Sequence, residues 1–267
     1  MKRYSTVHPL FMSFYSRSLY QDVATNWRKT SFIYLLLLIA VCVIPLTFKT
    51  RATVSDYLLR EAPKIIKQFP AVSISKGQVS ADVTMPYTIR IPESNRAFFV
   101  IDTTGQVTSL TGSEAMILLT KTKLILKSGS NEPKTWDLSE IDGLLIDQSK
   151  LYDWMDTFLE YFPVVIFPIA LFFTFLFRTV QSIIYSMIAI SFNKYIKLNL
   201  KYAALLSLSV VSMTPAIVLD TVYNYFDVTI PFWWLIDFAI AFAYLIFALK
   251  STARQGSSNS SKNTAIL

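Results

Sequence analysis

The stretch FPVVIFPIALFFTFLFRTVQSIIYSMIAISF, Phe162–Phe192, decides how this chain is read. Its roughly 31 residues hold a single charge, Arg178, and would make an α-helix ~46 Å long against a hydrocarbon core of about 30 Å. It is therefore either one overlong tilted helix or two short spans broken near Arg178. Three further apolar segments, Phe32–Phe48, Ala203–Leu219 and Pro231–Leu249, flank it. With 53% hydrophobic and 16% charged residues, against about 25% charged in soluble domains, the chain reads as a membrane protein.

Charge chooses between the two readings. The segment before Phe32 carries Lys2, Arg3, Arg17, Arg28 and Lys29 against Asp22 alone. Lys194, Lys197 and Lys201 follow the second apolar segment, and Lys250, Arg254 and Lys262 follow the fourth, with no acid among them. The loop after the third has Asp220 and Asp227 and no base. Two spans in Phe162–Phe192 would put Lys194–Lys201 outside and reverse everything downstream, against the positive-inside rule. One long helix, its inner end projecting from the membrane, places both termini in the cytoplasm. The expected order is a cytoplasmic amphipathic segment 1–31, spans 32–48, 162–192, 203–219 and 231–249, an external domain 49–161, a basic inner loop 193–202, an outer loop 220–230 and a disordered tail 250–267. The net charge of +7 flanks spans instead of forming one surface, which argues against nucleic acid. The first span lacks a small-residue cleavage pattern after it and is expected to remain as an anchor.

Phe11, Phe14, Tyr15, Leu19, Val23 and Trp27 recur at helical spacing. They predict one amphipathic helix, either lying in the inner interface or packed on the bundle. None of the six glycines falls in a span, so close helix contacts must use Ala203, Ala204, Ser207, Ser209 and Ser212, with a kink at Pro215. The external domain reads as α+β. Helical spacing runs from Val54 to Phe69 with a break at Pro63, and a hairpin pairs Val72–Ser75 with Val79–Thr84 through Lys76-Gly77. Strands are expected at Tyr87–Ile91, Ala97–Ile101, Val107–Leu110 and Lys123–Lys127. A short helix is expected at Ser113–Leu119 and an amphipathic helix after Ser149.

Asp237, six residues inside the last span, is the candidate intramembrane functional residue, since burying a charge there costs at least ~2.5 kcal/mol. A carboxylate hydrogen-bonded to neighbouring helices, or wetted from the outer face only ~9 Å away, is the favoured account of it. Arg178 matches it by sign, but lies ~24 Å along its helix from Phe162 while Asp237 lies ~9 Å below Pro231. Arg178 is accordingly expected to snorkel to the inner headgroups as an inner-leaflet anchor. Asp153, Asp156 and Glu160 at helical spacing suit a solvated acidic face better than acid/base or cation chemistry. Asp102-Thr103-Thr104-Gly105 departs from the aspartic-protease D-T-G and suits a turn. Cys42 is the only cysteine and His8 the only histidine, so no external disulfide and no Cys/His metal site is expected. No catalytic residue, cofactor site or metal site is assigned, and no enzyme is expected.

Ser13-Phe14-Tyr15-Ser16, Leu19-Tyr20-Gln21-Asp22-Val23, Trp27 and Tyr34–Leu38 resemble the opening of a bacterial membrane family, domain of unknown function 1189. Met85–Ile89, Val100–Gly105 and Leu118–Thr122 resemble it further along. Some members of that family are labelled maltodextrin utilisation protein. Lys197, Lys201 and Thr214-Pro215 give the helical half a loose similarity to Yip-type membrane proteins. The resemblance implies a multi-pass protein of the bacterial inner membrane with a periplasmic α+β domain, and it supplies no catalytic residues. The expected function is non-enzymatic binding of a membrane or envelope partner from within the lipid bilayer. The alternatives are an accessory component or permease for small-solute uptake, or a ligand sensor.

Overall fold

A computed structural model describes residues 3–127 and 133–264, with side chains to Ala253. The chain divides into two compact units: residues up to Thr50 together with those from Pro163 onward, and Arg51–Phe162. Two helices contribute to both units, α3 (Thr30–Ile66) and α4 (Gln148–Tyr195).

The helical unit also contains α1 (Pro9–Met12), α2 (Arg17–Asn26), α5 (Tyr202–Ser212), α6 (Thr214–Tyr225) and α7 (Trp233–Thr264). Among the described residues, four helical segments are long and apolar enough to cross a membrane: α3, α4, the α5–α6 pair and Trp233–Ala253 of α7. They coincide with the four apolar segments, and this architecture is compatible with a multi-pass membrane protein. Phe162–Phe192 lies within one continuous helix, with Pro163 and Pro168 inside it. Ile33, Leu37, Val41 and Phe48 of α3 and Val164, Phe172, Phe173 and Phe177 of α4 are exposed. Large apolar side chains on the outer faces of apolar helices have lipid as their natural solvent.

The core of this unit forms around α5, where Leu205, Leu208, Val210 and Val211 are buried against Leu35, Leu38 and Ile39 of α3 and Leu245 and Leu249 of α7. The serines serve where glycine is missing. Ser207, Ser209 and Ser212 are buried, and Ser207 receives a hydrogen bond from Ser31 Oγ at 3.3 Å. Tyr34 and Thr214 share a 2.7 Å hydroxyl contact deep in the core. Pro215 interrupts the third span as expected. It has no N–H to offer Val211 O, which instead accepts from Met213 N, and the helix restarts at Thr214.

The expected single helix at the N-terminus is two helices. The chain breaks between Met12 and Arg17, where Ser16 caps α2 by accepting from Leu19 N at 3.3 Å. Leu19, Tyr20 and Val23 of α2 and Trp27 at its C-cap are buried in the bundle, whereas Phe11 and Tyr15 stay exposed. α2 is thus a packed bundle helix. At the other end, α7 runs to Thr264, through most of the segment expected as a disordered tail. Extending a formed helix requires no new nucleus. Residues 265–267 lie outside the described residues.

In the second unit, β1 (Val72–Ser75), β2 (Gln78–Ala81) and β8 (Leu144–Ile146) form an antiparallel sheet ordered β2-β1-β8. The hairpin turns at Lys76-Gly77, with φ of 48° and 75° and Ser75 opposite Gln78. Positive φ at both central residues is the type I′ requirement. The second sheet is ordered β3-β4-β5-β6-β7, from β3 (Tyr87–Arg90), β4 (Ala97–Asp102), β5 (Ile117–Thr120), β6 (Lys123–Leu126) and β7 (Lys134–Asp137). Its β4–β5 pair is parallel and the rest are antiparallel. Val72, Ile74 and Val79 pack with Ile101 and Leu119 between the sheets, while Val100, Leu118 and Ile125 form a second core with Leu110 and Ala115.

Three expectations for this unit fail. The Ser113–Leu119 helix is instead a turn leading into β5, because Ile117-Leu118-Leu119 pairs with Phe99-Val100-Ile101, and a short apolar run fits either period. Val107–Leu110 forms no strand, since the Asp102 carboxylate takes the Val107 N–H. Pro63 does not divide the preceding helix, which continues to Ile66. β7 and β8 carried no sequence signal: β7 is exposed along its length and β8 has three residues.

Candidate functional site: a charge cluster on three helices

Arg178, Asp220 and Asp237 meet inside the helical unit. They come from the middle of α4, the second half of α6 and the first turns of α7. Arg178 Nη2 donates to Asp220 Oδ2 at 2.7 Å, and its Nη1 donates to Gln181 Oε1 at 2.8 Å. The same Nη1 lies 3.5 Å from Asp237 Oδ2, within ion-pair range but beyond hydrogen-bond length. Side-chain exposure is 7% for Arg178, 29% for Asp220 and 12% for Asp237.

The inner-leaflet role expected of Arg178 is therefore corrected: the guanidinium is buried between two carboxylates. The error lies in the reference level. Counting inward from Phe162 and Pro231 separates Arg178 from Asp237, but α4 begins at Gln148, so Phe162 is not the start of its helix and is no common reference level for the two residues. Counting from the basic ends brings them together. Arg178 is ~24 Å from Lys194, Asp220 ~28 Å from Lys201 and Asp237 ~20 Å from Lys250 along their helices.

The two carboxylates differ in how well they are satisfied. Asp220 accepts from Arg178, and its Oδ1 also accepts from Trp233 Nε1 at 3.0 Å and Asn224 Nδ2 at 3.1 Å. The Trp233 ring lies on Tyr223 with centroids 4.2 Å apart and an interplanar angle of 6°. Asp237 Oδ1 is buried with no hydrogen-bond partner, as are the Tyr185 hydroxyl and Thr179 Oγ1. Tyr185 stacks on Phe238, beside Asp237 in sequence, and is 1% exposed. Asp220 is thus the fixed counter-ion of Arg178, and Asp237 is a second carboxylate with an incomplete shell. Across the loop after α6, Lys49 Nζ binds Asp227 Oδ1 at 2.5 Å and Asn224 O at 2.6 Å.

A family model described as a protein of unknown function, DUF1189, matches residues 7–249. The chain belongs to the DUF1189 family. No curated protein and no solved structure matches it. The match takes in all three charged residues of the cluster and the N-terminal motif around Asp22.

In that motif Asp22 is a buried hub rather than a surface acid. It accepts from Arg3 N at 3.1 Å, Tyr4 N at 3.3 Å, Asn26 Nδ2 at 2.7 Å and Trp27 Nε1 at 2.8 Å. Burial alone would raise its pKa, but these four bonds outweigh burial and hold it below the usual carboxylate range. Asp102 is similar. It is fully buried, and hydrogen bonds from Thr104 and Val107 overcome the burial penalty and lower its pKa. The Asp102 motif is thus a turn that satisfies its own carboxylate. Asp153, Asp156 and Glu160 are exposed on α4. Cys42 is a free thiol on α3, and among the described residues no three His, Cys, Asp or Glu are grouped to hold a metal. Sequence reasoning missed Asp220, which reads as a loop acid. Its signal was a distance from Lys201 similar to that from Arg178 to Lys194.

Proposed function

We propose that this DUF1189 protein is a non-enzymatic multi-pass protein of the bacterial inner membrane, with both termini cytoplasmic and its α+β unit periplasmic. In this reading the α+β unit binds an envelope or membrane partner, and its occupancy is relayed along α4 to the charge cluster. One observation carries the reading. α4 is a single helix from Gln148 to Tyr195, and at its middle Arg178 grips Asp220 of α6 and lies against Asp237 of α7. A helix that enters the α+β unit and also holds the central ion pair is a direct mechanical route between a binding event and bundle geometry.

The test places a photocrosslinking residue at Trp136 or Leu145, both about half exposed on strands of the α+β unit, in living cells. The expected result is one discrete adduct whose yield changes when Asp237→Asn is introduced. No adduct from either position removes the partner, and an adduct indifferent to Asp237→Asn removes the relay. A second reading, an accessory or permease for small-solute uptake, is favoured by the unpartnered Asp237 Oδ1. Its mark is loss of uptake in Asp237→Asn with crosslinking unchanged.

A further inference from the structure

Two ionised carboxylates and one guanidinium leave the cluster with one surplus negative charge. That imbalance is costly in an apolar bundle unless something offsets it. Asp220 has three hydrogen-bond donors and is the carboxylate best stabilised as an anion. Asp237 has none. Its Oδ2 is 3.5 Å from Arg178 Nη1, and its Oδ1 is sealed from solvent without a donor. The Tyr185 hydroxyl is equally sealed and unpartnered.

The groups facing Asp237 include one base and one competing acid. α4 presents Arg178, Gln181 and Tyr185, and α6 presents Asp220. Cys42 of α3 lies near Arg178 and Asp220. Arg178 is already committed to Asp220 and Gln181. A metal cation would sit beside the guanidinium and be repelled, whereas a proton neutralises the surplus charge and turns one Asp237 oxygen into a donor. We infer that Asp237 is a proton-binding site, occupied by one proton while Asp220 holds Arg178, and emptied when Arg178 is released to Asp237. Proton binding and the choice of counter-ion by Arg178 are then linked equilibria. This inference does not depend on the existence of a partner.

The full chain in lipid nanodiscs at neutral pH tests it by infrared spectroscopy. The expected result is a protonated carboxyl C=O band that shifts in D2O and is absent in Asp237→Asn. Asp220→Asn should abolish the band too, because Asp237 then becomes the counter-ion of Arg178; Arg178→Gln should retain it. Asp237→Glu keeps a carboxyl and should move the band, which serves if the asparagine variant does not fold. A wild-type spectrum with no such band, a band unchanged in Asp237→Asn, or one unaffected by Asp220→Asn overturns the assignment.

Discussion

Replacing Arg178 by leucine should be far more damaging than removing Asp237. The guanidinium is 7% exposed, so its interactions are not discounted by solvent screening. Its loss removes the charge-assisted bond to Asp220 at 2.7 Å and the bond to Gln181 at 2.8 Å, and leaves the partly buried Asp220 beside Asp237 without a cation. Breaking a buried ion pair by deleting one partner costs about 3–5 kcal/mol. Asp220 retains Trp233 and Asn224 as donors, which places Arg178→Leu at the low end, about 3 kcal/mol. Asp237→Asn removes an oxygen that accepts no hydrogen bond and should stay within about 1 kcal/mol of wild type, the scale of an ordinary polar contact between membrane helices. Asp220→Asn falls between them. Reversible unfolding of the full chain in mixed micelles, followed by far-UV circular dichroism, gives the three differences. Asp237→Asn costing as much as Asp220→Asn would refute the division into a fixed counter-ion and an unsatisfied carboxylate.

Gly77→Ala should destabilise by at least about 1–3 kcal/mol, since φ is +75° and the new Cβ would lie 2.6 Å from Ser139 Cα; near-neutral thermal melts would show that the hairpin relaxes freely. Asp22 and Asp102 have depressed folded-state pKa values, so their stabilisation is complete above the unfolded value of about 3.9 and is lost as pH falls through the folded values. Acid titration of stability should therefore flatten below about pH 4 in Asp22→Asn and Asp102→Asn relative to wild type. Reporter fusions after Lys127 and Asp227 should report outside and those after Lys197 and Gly256 inside; a cytoplasmic signal at Lys127 would overturn the proposed topology.

What the sequence made legible follows from what local patterns encode. Hydropathy located all four long helices, and the length of Phe162–Phe192 with its flanking lysines predicted one helix. Lys76-Gly77 specified its hairpin because positive φ at both residues is a local demand. β7 and β8 escaped because edge and very short strands are stabilised by their neighbours. The failure at Ser113–Leu119 was of the same kind, since β4 supplies the pairing that makes β5 a strand. In the site, Asp237 was visible as an acid among apolar residues. Its relation to Arg178 was hidden because axial position depends on where each helix begins, and Asp220 was hidden because it sits near a helix end.

The stacking of Trp233 on Tyr223, with its indole N–H on Asp220, gives the cluster an optical reporter of its own. Indole emission responds to charge at the pyrrole nitrogen, and this nitrogen is bonded to the counter-ion of Arg178. Any rearrangement that moves Arg178 from Asp220 to Asp237 changes the field along that bond. With Trp27, Trp136, Trp154 and Trp234 replaced by phenylalanine, the remaining fluorescence would follow the state of the bundle in real time, without an added dye.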